Sequence, residues 1–328
     1  MKIGLCYDVK EDYGFNSLDY TYCNFTDEET ISYVKNILES CGYEVSLIGN
    51  HLNLYNLLTS EKFDSDIVFS TAEGYLSRNR EAWIPTLLEI GRIPFVGMDA
   101  YGLSLTLDKV QTKLIANHLN IPTPEFYEIF STADLPHVLS QLAFPLIIKP
   151  YREGDSMGVH LVTTKEELEN KAMYLFQQYN QKLICERYIP FKEIAVSVCE
   201  IDGVPHALGL CETRGKDSSI LPVFTSEYKL IYGSKKITPS VSLSTKKNLT
   251  EYSLKLFKYT ECHEYCRFDF RLDYNEKVYF LEMTPLAALG PNASFLSGIT
   301  LNGIKPEFVF DSIIKNACQR YNLLPPKA

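Results

Sequence analysis

Two neighbouring runs carry the reading of this chain: Tyr265-Cys-Arg-Phe-Asp-Phe-Arg-Leu-Asp273 and Lys277-Val-Tyr-Phe-Leu-Glu-Met283. Both have the apolar and aromatic alternation of strands, and Tyr274-Asn-Glu-Lys277 is short enough to join them as a hairpin. With Asp273 closing the loop against Val278, Asp269 falls opposite Glu282. Like charges paired across strands are destabilising, unless a cation lies between them. Carboxylate oxygens suit Mg²⁺, which binds through one or two acids plus substrate phosphates. Arg267 lies two residues before Asp269 and emerges on the same face. Two metal-binding acids beside a fixed positive charge suit phosphoryl or acyl-phosphate chemistry. The same charges would also suit a solvated strand face.

Working outward, 328 residues allow two or three packed units. Hydrophobic residues make up 45% and charged residues 22%, the balance of a soluble enzyme. A net charge of −9 disfavours nonspecific nucleic-acid or anionic-membrane binding. No apolar run approaches the roughly 20 residues of a membrane-spanning helix. Met1–Tyr7 reads as a first strand rather than a signal peptide. Nine cysteines without CxxC spacing read as reduced thiols in a cytoplasmic protein. Cys262, His263 and Cys266 lack a fourth zinc ligand and read as structural.

The first third alternates strands (Lys2–Tyr7, Glu44–Ile48, Asp66–Ser70, Pro94–Val96) with helices (Asp27–Cys41, capped by Thr26, and Glu81–Ile90). That pattern predicts a parallel sheet covered by helices. A further helix spans Leu107–Leu119. Strands are expected at Phe126–Ile129, Leu146–Lys149, His160–Thr163 and Leu183–Arg187, with helices at Ala133–Leu142 and Lys165–Gln178. The last third has strands at Glu193–Glu200 and Pro205–Leu210, helices at Lys246–Tyr259 and Lys305–Tyr321, and a polar stretch from Glu212 to Ser244 that reads as a loop or lid.

Other segments invite chemistry singly. Arg152-Glu-Gly-Asp-Ser-Met-Gly158 is a glycine-containing loop after a strand that ends in Lys149, and glycines let backbone N–H groups approach a phosphate. It is not a P-loop, and it would equally serve as a hairpin loop. Ala72-Glu-Gly-Tyr75 follows an apolar strand, at the carboxyl end where open α/β sheets bind ligands; Arg78, Arg80 and Glu81 come soon after. Gly290, Asn292 and Ser294 could hold a carboxylate through neutral donors. Each also suits an ordinary surface loop.

Together, and in this order, the segments resemble the ATP-grasp ligases, in particular their D-alanine–D-alanine ligase-like branch. The resemblance runs from Ile67 to Tyr321. It rests most on Leu105-Thr-Leu-Asp-Lys109, Ile147–Gly158, Cys185-Glu-Arg-Tyr-Ile189 with Glu193, and Arg267-Phe-Asp269 with Glu282. It implies an α/β ATP-grasp fold of three subdomains: a Rossmann-like unit (1–104), a small central α+β unit (105–187) and a larger C-terminal α+β unit (188–328). ATP would lie between the second and third.

The resemblance also implies roles. Lys109 and Lys149 would contact phosphates under the loop carrying Glu153, Gly154, Ser156 and Gly158. Glu186, Tyr188 and the backbone at Ile189 would read adenine, and Glu193 would hold ribose. Lys229 looks like the phosphate-contacting lysine of a mobile lid. Asp269, Glu282 and Thr284 would bind one or two Mg²⁺ ions, or Mn²⁺. Arg267, with Ser156 and Lys229, would stabilise the reacting groups. Glu73, Arg80, Asp155, Gly290, Asn292 and Ser294 would face substrate.

The implied activity is an ATP-dependent carboxylate–amine ligase working through an acyl phosphate on amino acids or similar small molecules. A homodimer is compatible with the family; no nucleic-acid or membrane partner is expected. Four departures fall on substrate or metal positions. Thr284 replaces the usual Asn, Tyr7–Tyr13 lacks the glycine-rich turn with its glutamate, Asp155-Ser156 replaces a pair of serines, and Thr284–Gly290 is long. They favour synthesis of a small metabolite or dipeptide. A genuine D-alanine–D-alanine or D-lactate ligase, and a non-catalytic ATP- or ligand-binding protein, are the alternatives.

Overall fold

The computed structural model describes residues 1–15 and 25–323. Three sheets succeed one another along the chain. The first has the order β2-β1-β3, from β1 (Lys2–Cys6), β2 (Glu44–Gly49) and β3 (Ile67–Ser70), all parallel. Helices α1 (Glu28–Ser40), α2 (His51–Thr59) and α3 (Trp83–Gly91) pack around it. Ile3, Leu5, Ile67 and Phe69 are wholly buried, as expected of a parallel sheet covered on both faces. The expected fourth strand is only a bridge between Phe95 and Val68.

Asp27, not Thr26, caps α1, accepting from the Thr30 N–H at 2.7 Å. The helix expected over Leu107–Leu119 is α5 (Lys109–His118), and an unexpected helix, α4 (Ala100–Leu107), runs up to it. Asp108 between them is extended, caps α5 through the Val110 N–H, and takes an ion pair from Arg152 at 2.8 Å. That break sets Lys109 at the first position of α5.

The second sheet, order β4-β7-β5-β6, is formed by β4 (Phe126–Ile129), β5 (Leu146–Pro150), β6 (His160–Val162) and β7 (Leu183–Arg187), with α6 (Leu135–Gln141) and α7 (Lys165–Tyr179). The third, order β10-β9-β8-β11-β12, comprises β8 (Lys192–Ile201), β9 (Val204–Gly215), β10 (Ser234–Ile237), β11 (Tyr265–Leu272) and β12 (Val278–Thr284). With it go α8 (Ser226–Tyr232), α9 (Leu243–Tyr259), α10 (Ser294–Leu301) and α11 (Pro306–Arg320). The polar stretch 212–244 is thus partly ordered: it finishes β9 and forms α8 and β10.

Two packing features fix the sheets and helices around the cleft. The first and last parts of the chain share a core, where Leu5 and Phe69 join Phe295, Phe310 and Ile314. At the other seam, β9 and α10 meet backbone to backbone: a Cβ on Gly209 would overlap the Gly298 carbonyl. Ser197 reinforces that contact by donating to the Phe295 carbonyl at 2.7 Å.

Candidate active site

The hairpin of β11 and β12 does set Asp269 opposite Glu282, but by a different register from the one expected. Leu272, not Asp273, faces Val278, and the pairs continue to Phe270 and Phe280. A bulge then leaves Leu281 without an opposite residue and brings Glu282 level with Asp269. Arg267 holds Asp269 with Nε 3.0 Å from both carboxylate oxygens and Nη2 2.8 Å from Oδ2. Its Nη2 also lies 3.4 Å from the Thr284 hydroxyl. Glu282 receives Lys109 Nζ at 2.8 Å. Burial would raise the Glu282 carboxyl, but Lys109, Lys149 and Arg267 outweigh it and hold the group down at about 2. Burial lifts Asp269 above the usual range despite Arg267, with Glu282 adding to the rise. Asp269, Glu282 and the Thr284 hydroxyl form an oxygen-donor set that fits a hard divalent cation.

Glu186, on the central strand β7, is 2% exposed and takes two buried lysines: Lys113 at 2.8 Å and Lys149 at 2.5 Å. Burial alone would raise its carboxyl; the two ammonium groups bring it to about 2. Burial pulls Lys113 down to about 8 against the attraction of Glu186. Lys149 is therefore tied to Glu186 while lining the cavity beside it. Sequence reasoning does not single out Lys113. Its signal is there, one helical turn after Lys109.

A cavity of about 330 Å³ lies between the second and third sheets. Ile147, Ile189 and Leu281 give it apolar surface, and Lys109, Lys149, Lys229 and Lys236 give it positive charge. Glu193 lines it and pairs with Arg271 at 3.2 Å. Arg271 also donates to the Ile189 carbonyl at 2.7 Å and stacks against Tyr188, fixing the 188–193 segment. It too escapes sequence reasoning, although it continues the stripe Arg267, Asp269, Arg271 on one strand face. Tyr188 spends its hydroxyl on the Pro222 carbonyl.

The 154–158 loop closes one side of this cavity. Asp155 and Ser156 both adopt left-handed backbone (φ 51° and 63°). Lys229, on α8, reaches across to the Asp155 carbonyl at 2.8 Å and its carboxylate at 3.1 Å. Glu153 gives its carbonyl to Lys109 at 2.7 Å and its carboxylate to Gln181 at 2.6 Å. Gly158 corrects the expectation of a phosphate contact. It sits against Pro150 and Tyr179, where a Cβ would come within 2.9 Å of either, and does not line the cavity. Gly154 lines the adjoining space instead.

That second cavity, about 300 Å³, lies against the carboxyl end of the first sheet. It shares Lys109, Glu153, Asp155, Arg267, Glu282 and Asn292 with the first. Glu73, Glu81, Thr284 and Gly290 line it, whereas Ser294 faces the first cavity. Arg80 is buried behind this wall rather than lining it: Nη1 donates to the Arg152 carbonyl at 2.8 Å, bracing the 152–153 segment, Nη2 lies 4.0 Å from Glu153, and its charge acts on Glu73 and Glu81, opposing the rise that burial causes in both. Asp8, absent from the expected site, is fully buried and builds the wall. Its carboxylate accepts the Gly74 N–H at 2.7 Å, the Glu73 N–H at 3.3 Å and the Tyr13 hydroxyl at 3.1 Å. Burial pushes it up to about 6. Gly74 has φ +70°, and a Cβ there would lie 2.7 Å from the Arg80 carbonyl.

A nucleotide-sized cleft between two sheets, with facing acids at one end, is the architecture of the ATP-grasp fold. The family model described as D-ala D-ala ligase C-terminus matches residues 115–315, and the chain belongs to that family. It is an ATP-dependent ligase forming C–N bonds, in a family that uses ATP and Mg²⁺. An uncharacterised protein, y4sG, of Sinorhizobium fredii is 26% identical over 294 residues, covering 87% of this chain and 86% of that protein. A D-alanine–D-alanine ligase of Carboxydothermus hydrogenoformans is 29% identical over 283 residues, covering 83% and 87%. The crystal structure of the D-alanine–D-alanine ligase from Bacillus anthracis complexed with ATP superposes with a TM-score of 0.74 at 21% identity, covering 98% of this chain and 99% of that one. No helix among the described residues is long and apolar enough to cross a membrane.

Proposed function

We propose that this ligase joins the carboxylate of one amino acid or amino-acid-like molecule to the amine of another, in the synthesis of a dipeptide or small metabolite. The observation that carries the reading is the Arg267–Asp269–Glu282 group, where Arg267 and Glu282 line both cavities at their junction. ATP would occupy the first cavity and the joining substrates the second. We divide the chain at 187/188 and, because 104/105 falls inside α4, at the Asp108 break between α4 and α5.

Lys109, Lys149 and Lys229 would neutralise the triphosphate under the 154–158 loop, with Ser156 within that loop. Glu186, Tyr188 and Ile189 would border the base and Glu193 the ribose. Asp269, Glu282 and Thr284 would hold Mg²⁺, which supplies charge neutralisation at the transferring phosphoryl group. The substrate carboxylate attacks the γ-phosphate, giving an acyl phosphate and ADP. The neutral amine of the second substrate then attacks the acyl carbon, phosphate leaves with its bonding pair, and the proton shed by the nitrogen passes to the departing phosphate. Arg267 stabilises the oxyanion charge of both steps. The chain offers position and charge rather than a side-chain nucleophile.

The test is ADP release from MgATP with L- and D-amino acids, singly and in pairs, with products identified by mass spectrometry. A product equal to a pair's summed mass less water establishes the ligase and names its substrates. D-alanine alone giving its dipeptide as the dominant product would replace this reading with cell-wall synthesis. ATP binding without ADP in any pair would favour a non-catalytic protein.

A further inference from the structure

Five cations around the first cavity are committed to acids: Lys109 to Glu282, Lys149 to Glu186, Lys229 to Asp155, Arg267 to Asp269 and Arg271 to Glu193. Arg187 is exposed and lies over the Tyr279 ring. Lys236 differs from all of these. It is half-buried in the cavity wall and pairs with no carboxylate among the described residues. Its ammonium gives one hydrogen bond, to the Thr213 hydroxyl at 2.8 Å, although an ammonium has three donors.

The strand sets this position. In β10, Ser234-Lys-Lys-Ile237, side chains alternate between faces. Lys235 meets Ser218 at the surface, and Lys236 turns inward, 5.0 Å from the centroid of the Phe224 ring. Lys229 lies 5.1 Å from the same ring, so Phe224 gathers two ammonium groups on one stretch of wall. Burial pulls the Lys236 ammonium below the usual lysine value; Cys211 and Glu193 oppose this, and Lys229 and Arg267 add to it. Glu193 is already claimed by Arg271. A half-buried cation among cations is unfavourable until an anion joins it.

Strand register shows which part of a ligand it meets. Ala195 faces both Cys211 and Asp269. Two residues further along, Glu193 faces Arg271, and Thr213 faces Lys236. Arg271, Glu193, Thr213 and Lys236 therefore form one row across β11, β8, β9 and β10, about 7 Å along the strands from Asp269. The reacting γ-phosphate belongs at Asp269 and Glu282, and the ribose at Glu193. Resting on the reading that ATP fills the first cavity, we propose that Lys236 is a nucleotide-binding residue whose ammonium donates to the α- and β-phosphate oxygens, those that ADP retains.

The test is calorimetry with the Mg²⁺ complexes of ADP and of a non-hydrolysable ATP analogue, and with adenosine. Lys236→Met keeps the stem and removes the charge. It should weaken both nucleotides about tenfold or more and change adenosine by less than about twofold. Lys236→Arg should restore most of the loss. Lys236→Gln serves in the same comparison where the methionine variant fails to fold. Unchanged ADP affinity overturns this inference and leaves the ligase reading standing, as does a loss confined to the ATP analogue, which moves Lys236 to the γ-phosphate. A loss that includes adenosine, or an equal loss in Thr213→Val, makes Lys236 a strut between β9 and β10 and also overturns it. No nucleotide binding by the unaltered protein removes the ligase reading and this inference together.

Discussion

Asp269 faces Glu282 across β11 and β12, and the guanidinium of Arg267 clamps the Asp269 carboxylate rather than standing free in the cleft. Arg267 thus has two tasks: it offsets two facing acids and presents charge where both cavities meet. Arg267→Ala should lower kcat about 10²- to 10³-fold, as for removal of a group aimed at the transition state, with the dissociation constant of MgATP changing only a few-fold. Single-turnover kinetics and nucleotide titration separate the two. An unchanged kcat removes Arg267 from the mechanism.

Glu186 balances two buried ammonium groups. Glu186→Gln leaves Lys113 and Lys149 without a counter-charge, and it should destabilise the fold by about 3–5 kcal/mol, the range for breaking a buried pair by removing one partner. Urea unfolding at pH 7 measures it. A loss below about 1 kcal/mol would show that the lysines shed their charge or find water.

Lys229 is held by Asp155, the charged residue of the 154–158 loop. The pair is partly exposed and worth only about 0.2–1 kcal/mol, yet it competes with any phosphate for Lys229. Asp155→Ala should therefore tighten ATP binding by about two- to fivefold. Weaker binding would mean that Asp155 orders the loop more than it occupies the lysine.

Asp8 has a folded pKa of about 6, raised mainly by burial from 3.8. A raised carboxyl contributes stability that is fully present below its unfolded pKa and lost as pH rises through its folded one. The contribution should fall by roughly 3 kcal/mol between pH 4 and pH 6 to 7. Asp8→Asn, which retains an acceptor for the Gly74 N–H, should flatten that part of the stability profile. Denaturant midpoints at half-unit pH steps provide the measurement, and identical slopes in both proteins would remove Asp8 as the source.

Much of this is legible in the chain because strand alternation and motif order are local. Arg267, Asp269 and Glu282 can be placed on one face from their spacing alone. The bulge at Leu281 cannot, since a one-residue irregularity leaves the apolar pattern intact, and the expected pair arises from a different turn. Helix α4 is hidden because Leu103, Leu105 and Leu107 alternate like a strand, while its cap, Asp99, is a single residue. Helix α2 buries only Leu54 fully and shows little helical periodicity. Lys113, Arg271, Glu81 and Asp8 owe their importance to what lies across space from them. The first two carry a local clue in their spacing; the last two look like ordinary charges beside a strand end.

The contact of Gly209 with Gly298 bears on how such a protein could change its diet over evolutionary time. Helix α10 comes directly after the Asn292–Ala293 wall, and at the Gly209–Gly298 crossing its backbone lies directly against that of β9. Enlarging a residue there separates helix from sheet; shrinking one is impossible. The opposite wall of the second cavity, where Phe25 and Glu73 present side chains, is the side on which exchange of residues reshapes the space.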